Sequence, residues 1–73
     1  MRRIGKKRII EELLLSIAKN QEHPGRADFK SVYGDLMRKY DDETAAVIIN
    51  YGIKKKKIRH TLDNRLVVVV VPL

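Results

Sequence analysis

Apolar residues recur at spacings of three and four near the start of the chain: Ile9, Ile10, Leu13, Leu14, Ile17 and Ala18. That spacing places them on one face of a helix, predicted over residues 6–21, with Glu11, Glu12, Lys19 and Asn20 on its other side. His23, Pro24 and Gly25 stop it, because proline and glycine both disfavour continuation. A second helix is predicted over 28–40, opening at Asp28, whose carboxylate can cap free backbone amides. Phe29, Val32, Tyr33, Leu36, Met37 and Tyr40 fall on one stripe, so Met37 and the tyrosines read as core. Gly34 costs this helix about 1 kcal/mol relative to alanine, a cost that the close approach of a neighbouring helix would explain.

Asp41 and Asp42 break the pattern and cap a third helix over 43–51, with Ala45, Ile48 and Ile49 turned inward. Gly52 reads as the residue after its C-terminus, with Ile53 placed for the hydrophobic contact that follows such an end. The connection between the second and third helices is short enough for a helix-turn-helix. Beyond it the period changes to two. Ile58, His60 and Leu62 alternate with Lys57, Arg59 and Thr61, giving one apolar and one basic strand face. Asp63, Asn64 and Arg65 carry a turn, and Leu66 to Val71 return until Pro72 ends the strand.

Every residue of that return strand is apolar, so alternation cannot fix its register. A three-residue turn places Leu66, Val68 and Val70 beside Leu62, His60 and Ile58. A two-residue turn brings Val67 and Val69 to that face instead. The valine run is either covered by the N-terminal region or left as an edge that pairs with a second subunit. An uncovered apolar face on so small a domain favours the second reading, a symmetric homodimer.

The chain has 73 residues, which makes residues 1–73 one domain. A chain of this length buries roughly 60% of its unfolded surface, too little for a deep catalytic cleft. There are no cysteines, so disulfides and thiolate metal sites are excluded, and a cytoplasmic protein is expected. His23 and His60 lie far apart with no framing carboxylate pair. No glycine-rich phosphate loop, nucleophile motif or metal-ligand spacing occurs. The sequence therefore predicts no enzyme, no cofactor and no small-molecule substrate. Glu11 and Glu12 interrupt the apolar stretch after the basic N-terminus, which argues against a signal peptide. The valine run is far below the roughly 20 residues that span a bilayer, so no membrane partner is expected.

Sixteen Lys and Arg against nine Asp and Glu leave a net charge of +7. An excess of this size points to a polyanion; solubility or a thermophile's charged surface is the plain alternative. The basic residues form two clusters. Arg2, Arg3, Lys6, Lys7 and Arg8 make a candidate arm over residues 1–8, at the end of a helix dipole that disfavours them. Lys54, Lys55, Lys56, Lys57 and Arg59 line the hairpin, with Arg65 at its tip.

Three helices followed by a basic hairpin resemble the winged-helix, helix-turn-helix DNA-binding proteins. The matching stretches are DFKSVYGDLMRKY, DDETAAVIINYG and IKKKKIRHTLDNRLVVVVV. In size, lack of cysteine and richness in Lys and Ile the chain also resembles small regulators of archaeal viruses and plasmids. Its order of elements is similar to Cro-type phage repressors too. The resemblance implies an α+β winged helix that binds double-stranded DNA in transcription regulation. It places the third helix in the major groove and the hairpin, as a wing, on the backbone or minor groove. Lys54 to Lys57 and Arg59 would then face phosphates, and Arg65 would enter the minor groove. Asp41, Asp42 and Glu43 cap the third helix but repel phosphates, and the turn glycine common in such motifs is missing. Thr44, Val47, Asn50 and Tyr51 remain as base contacts, asparagine being suited to adenine. Two other functions use the same charges. One is an RNA-binding or ribosome-associated module, although the aromatics fall mostly at core spacing. The other is an interaction module, such as an antitoxin or adaptor, that dimerises through the valine strand.

Overall fold

The computed structural model describes residues 5–69. The first amphipathic repeat forms α1 (Lys6–Asn20). Its N-terminus has no side-chain cap and no acidic residue in the first turn. Ile9, Leu13 and Ile17 are buried as the spacing demands, but Ala18 is exposed. Glu12, expected on the solvent side, is only 8% exposed. It lies against α2, where Lys39 reaches it.

The chain does not merely stop at Pro24 and Gly25. It reverses through them, between two three-residue strands, β1 (Gln21–His23) and β2 (Arg26–Asp28). Gly25 takes the left-handed conformation at φ 73°, which glycine adopts without strain. β2 runs directly into α2 (Phe29–Lys39). Asp28 caps that helix, accepting from the Ser31 amide at 3.2 Å. Val32 and Leu36 are buried, while Phe29, Tyr33 and Tyr40 are half-buried and pack on the core from its edge. Met37 is 43% exposed and is not a core residue. No neighbouring helix approaches Gly34 either: nothing lies within 4 Å of where its Cβ would stand.

The third helix, α3 (Asp42–Lys54), runs past the expected end at residue 51. Gly52 is buried inside it at the crossing with α1, where an added methyl would collide with Leu13 and lie 3.2 Å from Ile58. The helix ends instead at the lysines. The Lys57 amide donates to Gly52 O and the Lys56 amide to Ile53 O, each at 3.0 Å. This paired closure needs a left-handed residue, usually glycine. Here Lys56 fills the position, at φ 59°.

The last two strands are β3 (Ile58–His60) and β4 (Arg65–Val68). All four strands form one antiparallel sheet in the order β1-β2-β4-β3. The fold is thus α+β. The β3–β4 turn spans Leu62 to Asn64, one residue earlier than expected. It pairs His60 with Leu66, and Ile58 with Val68. Leu66 and Val68 share the face of Ile58, as a three-residue turn requires, but the register is shifted from the predicted one.

The order of strands corrects the reading of the valine run. β2 covers one edge of β4, pairing Arg26 with Val67 and Ala27 with Leu66. β3 covers the other. Residues 65–68 therefore have no free edge for a second subunit, and the cover comes from residues 26–28. Val70 and Val71 lie outside the described residues. Leu66, Ile58 and Ala27 join Ile9, Leu13, Ile17, Val32, Leu36, Ala45, Ile48 and Ile49 in a single core between sheet and helices.

Candidate nucleic-acid interface

The closure of α3 decides how the lysines are displayed. Lys54 is the last helical residue, Lys55 caps the helix, Lys56 takes the left-handed position and Lys57 leads into β3. All four are exposed, as is Arg59 in the middle of β3. None of the five has an ion-pair partner among the described residues. Lys55 has one attractive contact, its Nζ lying 5.8 Å from the centroid of the Tyr51 ring.

Some of the other surface cations are neutralised, whereas Lys6, Lys7, Arg26, Lys30 and Arg38 are exposed and stand outside these pairs. Lys39 pairs with Glu12 at 2.6 Å, Lys19 with Asp35 at 3.1 Å, and Arg8 with Glu12 at 3.8 Å. The hydrogen bond from Lys39 outweighs the effect of burial and holds the Glu12 carboxyl below the usual carboxylate range. At Asp35, burial opposes ionisation, but the hydrogen bonds from Ser16 and Lys19 together win and lower its pKa.

Arg65 belongs to this neutralised set and not to a hairpin tip. It opens β4, half-buried, with Nε 3.0 Å from Glu22 and Nη1 3.1 Å from Asp28. It ties the β1–β2 hairpin to the larger one, which removes it from the candidate contacts. The true tip is Leu62 and Asp63.

The face of α3 also changes. Thr44 is 2% exposed, and its amide donates to the Asp41 cap at 2.6 Å. It cannot reach a base edge. Tyr51 is half-buried beside the core, while Val47 and Asn50 are exposed on one stripe with Lys54. Lys6, Lys7 and Arg8 form the exposed first turn of α1, so they are not part of an extended arm. Arg2 and Arg3 lie outside the described residues.

Arg26 is a surface cation that no sequence pattern singles out. Cross-strand neighbours share a face, so the registers Arg26–Val67 and Val67–Arg59 set Arg26, Val67 and Arg59 in one row on the outer side of the sheet. The strand that carries Arg26 has three residues with one buried alanine between two polar ones, too short a stretch for its alternation to stand out as a periodic signal. A groove between α3 and the hairpin is lined by Ile53, Lys56, Arg59, His60 and Leu62. Beside it, Phe29 stacks between His60 and Tyr33, and Tyr33 hydrogen-bonds Asp42 at the start of α3.

No described helix is long and apolar enough to cross a membrane. No protein-family model, curated protein or solved structure matches the chain.

Proposed function

We propose that the protein binds double-stranded DNA as a small winged-helix protein and acts in transcription regulation. The supporting observation is the run Lys54, Lys55, Lys56, Lys57 and Arg59, five exposed cations close together in sequence and without carboxylate partners among the described residues, while Arg8, Lys19, Lys39 and Arg65 are paired. Internal pairing leaves a cation no net charge to offer, whereas unpaired lysines release counterions when they meet phosphates. Asp41, Asp42 and Glu43 repel phosphates at the N-terminus of α3. The duplex therefore lies nearer the C-terminal end of α3 and the wing, with Val47 and Asn50 toward the bases. The half-buried state of Phe29, Tyr33, Tyr40 and Tyr51 favours duplex over single-stranded nucleic acid, whose readers expose aromatic platforms.

The test is a salt titration of binding to duplex DNA, with single-stranded DNA and RNA alongside. Log affinity should fall with log salt by roughly 0.9 unit per neutralised phosphate. Replacing Lys54 to Lys57 by alanine should flatten that slope and weaken binding to all sequences alike. Lys19→Ala should leave it unchanged. Equal slopes for the wild type and the four-lysine variant would reject the reading, and so would a preference for single strands.

A further inference from the structure

The tip of the β3–β4 hairpin carries an apolar side chain with nothing to pack on. Leu62 is 108% exposed, the most of any large apolar residue described. It is not on a loose loop. The Thr61 amide donates to Arg65 O at 2.8 Å and the Asn64 amide to Thr61 O at 3.1 Å. The Arg65 amide donates to the Thr61 hydroxyl oxygen at 3.0 Å. Asn64 is held from both sides, by His60 Nε2 at 2.8 Å and by the Phe29 amide, which donates to its carbonyl at 3.0 Å. Asn64 takes the left-handed conformation that completes the turn, at φ 61°. The backbone under Leu62 is therefore fixed, and the side chain projects from a rigid mount.

Its surroundings are cationic. Leu62 shares its groove with Lys56 and Arg59. The neighbouring Asp63 turns its carboxylate back to the Thr61 hydroxyl and lies near Arg65 and Arg26. An apolar side chain on a fixed basic hairpin matches the requirement for unstacking a duplex. Proteins that do so insert leucine or a similar wedge between base steps while cations hold the flanking phosphates.

We propose that Leu62 is a wedge that enters between base pairs from the minor-groove side and kinks the bound duplex. The inference rests on the duplex-binding reading and assigns the groove-entering role to Leu62 in place of Arg65. It implies a preference for sites containing a TA step, where unstacking costs least.

The experiment uses a duplex of about two helical turns, roughly 20 base pairs, with 2-aminopurine at a TA step and a donor and acceptor dye at its ends. The wild type should raise 2-aminopurine emission and shorten the end-to-end distance by an amount that fits a kink of about 20–90°. Leu62→Ala should lose both signals and keep its fold, since the side chain is fully exposed and outside the core. It should also keep the salt slope of binding. Leu62→Phe, another wedge, should retain both signals. Binding without either signal, or an alanine variant that keeps both, overturns the wedge and leaves duplex binding intact. No binding by any variant removes the duplex reading and the wedge with it. A smaller sedimentation coefficient for Leu62→Ala without DNA would assign the side chain to a protein contact and also overturn the proposal.

Discussion

The ring of His60 lies on the ring of Phe29, centroids 4.5 Å apart and 18° from parallel. This contact joins the β3–β4 hairpin to the start of α2, and Tyr33 and Asp42 extend it to the start of α3. The stack and the bond to Asn64 together orient the hairpin against the helices. His60→Ala should cost about 0.5–1.5 kcal/mol. Hydrogen exchange of the Thr61 and Arg65 amides should quicken more than that of the α1 core, and equal acceleration throughout would deny the stack a local role.

Acid should weaken the join between α1 and α2. Glu12 and Asp35 both have pKa values below their ordinary ones, held there by Lys39 and by Ser16 with Lys19. A carboxylate whose pKa is lowered by folding adds stability above its unfolded value, about 4.3 for Glu and 3.9 for Asp. That stability disappears as pH falls through the folded value. The urea midpoint should be level above about pH 5 and drop below pH 4. Glu12→Gln should lower the midpoint at pH 7 and make the acid drop shallower. A variant with an unchanged acid limb would remove Glu12 from its cause.

Two glycines of neighbouring helices should respond oppositely to alanine. Gly34 has open space around it and an ordinary helical backbone, so Gly34→Ala should stabilise by about 1 kcal/mol. Gly52 sits under Leu13 and Ile58, so Gly52→Ala should cost about 1–3 kcal/mol through overpacking. Thermal melts of the two variants check both, and melting temperatures moving together would contradict the close crossing of α1 and α3 at Gly52.

Thr44 combines burial with an orphaned hydroxyl, its Oγ1 having no hydrogen-bond partner among the described residues. Thr44→Val removes that group at nearly constant volume and should raise stability by up to about 1 kcal/mol. Affinity for duplex DNA should not change. Weaker binding by a stable Thr44→Val protein would return Thr44 to the interface.

Lys56 pays a conformational penalty that glycine would not. Lys56→Gly should raise stability by about 0.5–1 kcal/mol, the relief of a left-handed side-chain-bearing residue less the entropy of an added glycine. It should also weaken DNA binding by removing one unpaired charge. The two effects are read separately, by denaturant melts and by the salt titration. Matching losses in both would mean that the lysine itself holds the turn.

The helices were legible because their apolar residues keep one period over several turns, as Leu13 with Ile17 and Val32 with Leu36 show. The end of α3 was not. Gly52 has the right identity for a cap, but its lack of a side chain serves a helix crossing, and the left-handed position fell to Lys56. Period alone also cannot mark strands of three residues, one all polar (β1) and the other with a single buried alanine (β2), which is why neither stands out in the sequence. Their presence follows from β4, whose second edge needs a partner. Of the candidate site, the exposure of Asn50, Lys54 to Lys57 and Arg59 was legible in the sequence. Arg65 and Thr44 were misplaced because a contact across 37 residues, such as Arg65 with Asp28, leaves no local pattern.

The central place of β4 bears on how the protein is made. β2 pairs with β4 across some 40 residues, Arg26 meeting Val67. A chain that emerges from its N-terminus can form α1, the β1–β2 turn and the two following helices first. None of these can close the sheet, and the inner faces of α1 and α3 stay without Leu66 and Ile58 until late. The nascent protein must therefore carry an uncovered apolar face until residues 65–68 arrive, and only then can the whole unit lock in one late, cooperative step.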